Sequence, residues 1–314
     1  MKRHVVFGTG QVGRALIAQL VDRGEEVTAV NRSGGGDFPG ARVVGADAGD
    51  PAVTTRLCAG ADVVYFCLNP TRYDRWSEEF PPLQRGVLAG AERAGARLVA
   101  LDNLYAYGPP SGRPLRESDA AKPTSLKAAT RAQMTAELLH AHRTGLLEVA
   151  IGRASDYFGP GTTRSALGET VFGPAVRGRT AQVMGNPDTL HSYSYTPDVA
   201  AALIVLGAAP EAAGRIWHLP VDTARTTRQL IERAYALAGH RPRLLSAGRT
   251  TLQLLGLVQP ELREYRHTLY QFTDDWVVDD TVFRTTFGID ATPMADALTA
   301  TVSWYRSRTP ETGA

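Results

Sequence analysis

The sequence predicts an α/β chain with a doubly wound parallel sheet and a smaller C-terminal lobe. Three observations predict it. Short apolar strands alternate with amphipathic helical stretches as far as Ile151. A glycine-rich turn, Gly8 to Gly13, lies between the first strand and the first helix. Beyond Ile151 the alternation breaks into loops marked by Gly159-Pro160-Gly161 and Gly185-Asn186-Pro187.

The elements follow in order. Strands read at His4–Phe7, Glu26–Val30, Arg42–Val44, Val63–Cys67, Arg97–Leu101 and Glu148–Ile151, from apolar runs bounded by turn residues. Helices read near Gln11–Arg23, Pro51–Leu57, Ser77–Ala94 and Ser125–Thr144, the first burying Ala15, Leu16, Ala18 and Leu20. Pro197 suits the start of a helix through Leu206, and further helices read near Thr227–Ala238 and Thr250–Leu257. Thr292-Pro293 reads as an N-cap with proline at the first position of a closing helix, Met294–Tyr305. The expected division is a first domain over 1–152, with a returning segment near 190–208, and a smaller lobe over 153–314.

The glycine turn gives the first function. Gly8-Thr9-Gly10-Gln11-Val12-Gly13 follows a strand and opens a helix, the context that makes G-x-G-x-x-G a dinucleotide fingerprint. Gly8 allows the tight turn, Gly10 lets backbone N–H groups approach a pyrophosphate, and Gly13 lets helix and strand pack closely. This is the Rossmann arrangement. The second strand ends in Asn31-Arg32-Ser33, without the acidic residue that usually meets the adenosine ribose of NAD. A guanidinium and a hydroxyl there favour a 2′-phosphate, so NADP(H) is the expected cofactor. Asp47 is placed to face an adenine amino group, and Leu68-Asn69 follow the fourth strand near the crevice where such sheets bind ligands.

Composition removes several classes. With 34 basic and 32 acidic residues the net charge is +2, which argues against nucleic acid and anionic membrane as partners. No apolar run approaches the ~20 residues of a membrane span, and the chain enters a strand directly, without a signal-peptide pattern. Cys58 and Cys67 fit reduced thiols in a cytoplasmic protein, and no metal-ligand spacing is present.

Further motifs carry a resemblance. Tyr107-Gly108 follows the fifth strand, Arg153-Ala-Ser-Asp-Tyr-Phe-Gly-Pro-Gly161 follows the sixth, and His191-Ser-Tyr-Ser-Tyr-Thr-Pro-Asp-Val-Ala200 and Trp304-Tyr305 come later. With the glycine turn and Asp47, these residues resemble the extended or atypical branch of the short-chain dehydrogenase/reductase superfamily, including its epimerase/dehydratase-like members. The resemblance implies a Rossmann fold, a small-molecule substrate and a homodimer. It also implies a Ser or Thr after the fifth strand and Tyr-x-x-x-Lys on the next helix. Anchored on Tyr107-Gly108 and Glu137-Leu138, those positions fall on Asn103, Ala129 and Gln133, and no tyrosine lies between Gly108 and Ile151.

Replacements stand nearby. Lys127 and Arg131 are four residues apart on one helical face, similar to isoflavone-reductase-type members that use a lysine as base or ribose clamp. Two solvated cations are the alternative. Tyr105 is a candidate acid, and Asn103 a candidate hydrogen-bond donor to a substrate carbonyl. Tyr73, Trp76 and Phe80 either wall an apolar or aromatic pocket or staple the following helix; Tyr157 and His191 are further substrate-pocket candidates. The expectation is an NADPH-dependent reductase of a small apolar or aromatic substrate. The alternatives are a non-redox epimerase or dehydratase, or a dinucleotide-binding sensor that has lost catalysis.

Overall fold

The computed structural model describes residues 1–70, 75–248 and 268–308. They form two compact units. The first takes Met1–Gly108, Ala120–Ala154 and Val199–Leu219; the second takes Pro109–Asp119, Ser155–Asp198 and the described part of Pro220–Ala314. The helix expected near Thr250–Leu257 lies outside the described residues.

The first unit is built on seven parallel strands: β1 (Arg3–Phe7), β2 (Glu26–Asn31), β3 (Arg42–Gly45), β4 (Val63–Phe66), β5 (Arg97–Asp102), β6 (Val149–Arg153) and β7 (Arg215–His218). Their order is β3-β2-β1-β4-β5-β6-β7, so the chain reverses direction across the sheet between β1 and β4. In a doubly wound sheet the ligand crevice opens outside the strand ends at such a reversal. Gly8 and Cys67, which follow β1 and β4, stand there.

Helices α1 (Gln11–Asp22), α2 (Pro51–Cys58), α3 (Trp76–Ala94) and α4 (Leu126–Arg143) make the crossovers, and α5 (Thr196–Ala208) precedes β7. Central strands are apolar on both faces because helices cover both; Val64, Phe66, Val99 and Ile151 are all buried. On α1 the buried stripe is Val12, Gly13, Leu16, Ile17 and Leu20. Ala18 faces outward instead, because a 3.6-residue period carries it off the stripe that Ile17 joins. Proline at the start of α2 is accompanied by an Asp50 cap, whose carboxylate accepts from Ala52 N at 2.8 Å.

The strand β7 has no counterpart among the strands read from sequence. Arg-Ile-Trp-His has neither a long apolar run nor clean alternation, and it pairs with β6 from a distant part of the chain.

One buried pair in this sheet is incompletely satisfied. His4 on β1 stacks on Tyr65 of β4 at 5.8 Å, and neither imidazole nitrogen nor the Tyr65 hydroxyl has a hydrogen-bond partner among the described residues. Burial lowers the His4 pKa from its ordinary value, against the opposing pull of Glu25 and Asp62. A histidine depressed in the folded state contributes stability above its unfolded pKa of about 6.5 and loses it as pH falls. His4→Phe is therefore expected to be about 1 kcal/mol more stable at pH 6 and less sensitive to acid between pH 7 and 5. Urea unfolding at the two pH values measures this; parallel curves for both proteins would rule it out.

In the second unit, helices Phe172–Val176, Thr227–Ala238 and Met294–Ser307 pack around Phe172, Leu230, Tyr235, Leu298 and Val302. Thr226 closes a reciprocal capping box with Gln229. At the closing helix the N-cap is Pro293, not Thr292. The Thr292 hydroxyl is turned away to donate to Asp198 at 2.6 Å, and Met294 N is met by Asp222 at 2.8 Å.

Candidate functional site

The glycine turn is shaped by two backbone approaches. Gly8 has φ +105°, and a Cβ there would sit 2.6 Å from the Cys67 carbonyl carbon and 2.9 Å from Leu68 N. Leu68 itself packs partly against the core, so the segment after β4 lies directly over the turn. A Cβ on Gly13 would run into the Gly8 carbonyl oxygen. Gly10 is different. It has an ordinary φ of −72° and nothing within 4 Å of where a Cβ would stand.

Packing therefore explains Gly8 and Gly13 but not Gly10. Gly10 is also the N-cap of α1 and supplies no side-chain cap, leaving the first-turn N–H groups pointing into the same space. A bare helix start with clear approach at Gly10 suits a pyrophosphate. Gln11 is half-buried and Val12 is turned into the core, so each presents its backbone there.

After β2, Asn31 organises its own loop. Its amide donates to Thr9 Oγ1 (3.1 Å) and the Gly35 carbonyl (2.8 Å), while its oxygen accepts from Ser33 Oγ (3.1 Å) and Gly34 N (2.7 Å). Arg32 is exposed beside this loop. Sequence reasoning missed a second guanidinium: Arg14, in the first turn of α1, lies over Phe38 at 4.4 Å and donates to the Asp37 carbonyl at 3.0 Å. An arginine so soon after the fingerprint was its signal. Asp47 is exposed and accepts from Gly49 N at 2.9 Å, and Asn69 is exposed after β4.

The ends of β5 and β6 hold a buried charge cluster. Asp102 and Arg153 are in register across the two strands. Asp102 accepts from Arg131 Nε (2.7 Å), Arg153 Nε (2.8 Å), Thr135 Oγ1 (3.1 Å) and Asn103 N (2.8 Å). The three charged side chains are 3%, 5% and 4% exposed for Asp102, Arg131 and Arg153. Burial alone would push the carboxyl up; the two guanidiniums outweigh it and hold Asp102 below the usual carboxylate range. Arg153 also lies over the Tyr107 ring at 4.6 Å, and the Tyr107 hydroxyl meets His218 Nε2 at 2.7 Å.

This cluster underlies the turn carrying the other candidates. Asn103 Oδ1 accepts from Tyr105 N at 3.1 Å, so its oxygen is used in shaping a short 3-10 turn, Tyr105–Tyr107. Helix α4 packs against that turn. Lys127, in the first turn of α4, is 6% exposed, and Arg131 is bound to Asp102. The solvated-cation alternative is thus overturned for both. Ala129 and Gln133, where the anchors placed the Tyr and Lys positions, face outward, while Lys127 and Arg131 share the inner stripe with the same four-residue spacing.

Trp76 is buried at the start of α3. Its ring is buried against Phe80 (5.1 Å) and Tyr105 (5.8 Å), where its apolar area is best removed from water. Tyr73 lies outside the described residues. In the second unit, Tyr157 and Asp156 lie on a strand, Asp156–Phe158, paired in parallel with Tyr193–Tyr195. His191 is buried nearby, bonded to Asp156 and to the Gln271 carbonyl. No group of three metal-ligating side chains is present among the described residues, and no described helix is long and apolar enough to cross a membrane.

Fold and fingerprint together define a dinucleotide-binding enzyme family. The chain belongs to the NAD dependent epimerase/dehydratase family, whose model matches residues 5–219. It is 29% identical over 245 residues to dTDP-6-deoxy-L-talose 4-dehydrogenase (NAD(P)(+)) of Kitasatospora kifunensis, covering 73% of this chain and 76% of that one. Among solved structures it resembles the dTDP-glucose 4,6-dehydratase DesIV of Streptomyces venezuelae with NAD bound, at a TM-score of 0.79, 21% identity and coverage of 98% and 97% of the two chains. It likewise resembles UDP-N-acetylglucosamine 4-epimerase of Methanobrevibacter ruminantium, at a TM-score of 0.81, 16% identity and coverage of 98% and 99%. These findings favour the epimerase/dehydratase alternative over the expected reductase of an apolar substrate.

Proposed function

We propose that this chain is a nicotinamide-dinucleotide-dependent enzyme that interconverts a secondary alcohol and a ketone on a nucleotide-linked sugar. Dehydrogenases, epimerases and dehydratases of this family share that step. The observation that carries the reading is Gly10, a fingerprint glycine for which the protein's own packing gives no reason. The backbone of Gly8, Gly10, Gln11, Val12 and Gly13 holds the pyrophosphate. Asn31 and Ser33 shape the adenosine loop, Asp47 meets the adenine, and Leu68 and Asn69 border the nicotinamide half. Arg32, with Arg14 beside the same loop, favours the 2′-phosphate of NADP(H).

A nicotinamide held there would supply hydride transfer. Lys127 and Tyr105 are the proton carriers for the reacting oxygen, and the Asn103 amide donates a hydrogen bond to it. Turnover of dTDP-linked 6-deoxyhexoses with NADP⁺ is expected. Lys127→Met or Tyr105→Phe should lower kcat about 100-fold or more while leaving NADP⁺ affinity within about threefold. Isothermal titration and a 340 nm assay read both quantities. Tight NADP⁺ binding without turnover of any sugar nucleotide would sink the enzymatic reading.

A further inference from the structure

The first turn of α3 is tied only loosely to the rest of its helix. Pro81 and Pro82 lie inside α3 and supply no N–H groups, so the carbonyls of Ser77 and Glu78 receive no helical hydrogen bond from the next turn. Arg75, the N-cap, adds no side-chain cap. Side chains hold the turn instead. Trp76 is 5% and Phe80 1% exposed, and Arg75 pairs with Glu78 on the surface.

The two aromatic rings form one stretch of a closed circuit. Trp76 lies against Tyr105 with ring centroids 5.8 Å apart and planes at 41°, and against Phe80 at 5.1 Å. The Arg131 guanidinium lies over Phe80 at 4.7 Å and donates to Asp102 at 2.7 Å. Asp102 accepts from Asn103 N, and Asn103 Oδ1 accepts from Tyr105 N, which returns the circuit to its start. Tyr105 is thus met from two sides, at its backbone by Asn103 and at its ring by Trp76. The backbone bond leaves both side-chain torsions unset, and Tyr105 is only half-buried.

We propose that Trp76 is the positioning residue for Tyr105, holding the phenol in one orientation for proton transfer. The use of the phenol rests on the function proposed above; the fixed ring does not. A core role alone would make Trp76 felt equally whether or not residue 105 carries a hydroxyl.

Trp76→Met and Trp76→Leu fill the space with apolar atoms but present no flat face, whereas Trp76→Phe keeps one. In the ¹³C-tyrosine-labelled full chain, the Tyr105 signal is assigned by its loss in Tyr105→Phe. Relaxation should give a ring order parameter above about 0.8 in wild type and Trp76→Phe, and below about 0.6 in Trp76→Met. With sugar nucleotide and NADP⁺, Trp76→Met should lower kcat about tenfold with KM within about threefold. Trp76→Phe should stay within about threefold of wild type in both. In a Tyr105→Phe background, Trp76→Met should lower kcat by less than about twofold, because no phenol is left to position. A Tyr105 ring equally rigid in all forms, an unchanged kcat in Trp76→Met, or a tenfold loss that persists in the Tyr105→Phe background would overturn the proposal. So would failure of both Trp76→Met and Trp76→Leu to fold, which would make Trp76 a residue of the core first. If wild-type protein turns over no sugar nucleotide, the function reading fails and the relaxation measurement alone decides this one.

Discussion

Asp102→Asn is expected to lower stability by about 3–5 kcal/mol, because it leaves two buried guanidiniums facing a neutral amide. Arg131 and Arg153 both direct Nε at this carboxylate, and neither side chain is more than 5% exposed. For a chain of 314 residues that loss corresponds to roughly 5–8 °C in Tm. Arg131→Met is expected to cost less, since Asp102 and Arg153 remain as a neutral pair. The pH dependence follows from the depressed carboxyl: its contribution is full above the unfolded pKa of about 3.9 and is lost only as pH falls through the lower folded value. Thermal unfolding of the three proteins at pH 7 and pH 3.5 measures this. An Asp102→Asn protein within 1 kcal/mol of wild type at pH 7 would mean the cluster is not what anchors the ends of β5 and β6.

The second large effect separates two glycines three residues apart. Gly13→Ala drives a methyl group into the Gly8 carbonyl, so backbone must move where β1 enters α1. The protein is expected to lose about 3 kcal/mol and its dinucleotide affinity together. Gly10→Ala meets nothing within 4 Å, so its stability should stay within about 0.5 kcal/mol of wild type. Its NADP⁺ affinity should nevertheless fall about 100-fold or more, because the methyl group occupies the approach to the helix N–H groups. Titration calorimetry alongside urea unfolding reads both. Unchanged affinity in Gly10→Ala would remove the cofactor from this turn.

Most of the sheet was legible because its central strands are apolar on both faces and β1, β3 and β4 are each followed by a helix with a stripe or cap. The face of α4 was not. Its buried positions are Lys127, Ala128, Thr130, Arg131, Met134, Thr135, Leu138 and Ala141, polar at four of eight, so hydrophobic periodicity gave little direction to the helix. That is why the anchors placed the Tyr and Lys positions on the outward Ala129 and Gln133. The dinucleotide turn was read from its spacing and its strand-to-helix context, which already set Gly10 apart from Gly8 and Gly13; the structure adds the distances that separate them. Neither spacing nor context showed Asp102, an unremarked strand-end residue whose partners come from positions 131 and 153. Ion pairs across such separations leave no local pattern.

The position of β7 has a consequence for synthesis. Its four residues, Arg215–His218, complete a sheet whose neighbouring strand β6 ended at Arg153. A ribosome therefore delivers six strands of the first unit, then a long stretch of the second, before the edge of β6 can be covered. During that interval the nascent chain exposes an unpaired strand edge of Val-Ala-Ile-Gly-Arg, an invitation to pair with another chain. Chain release after residue 154 would make that state permanent. Neither unit is encoded as one continuous stretch, so gene truncation should yield aggregates where whole-chain expression yields folded protein.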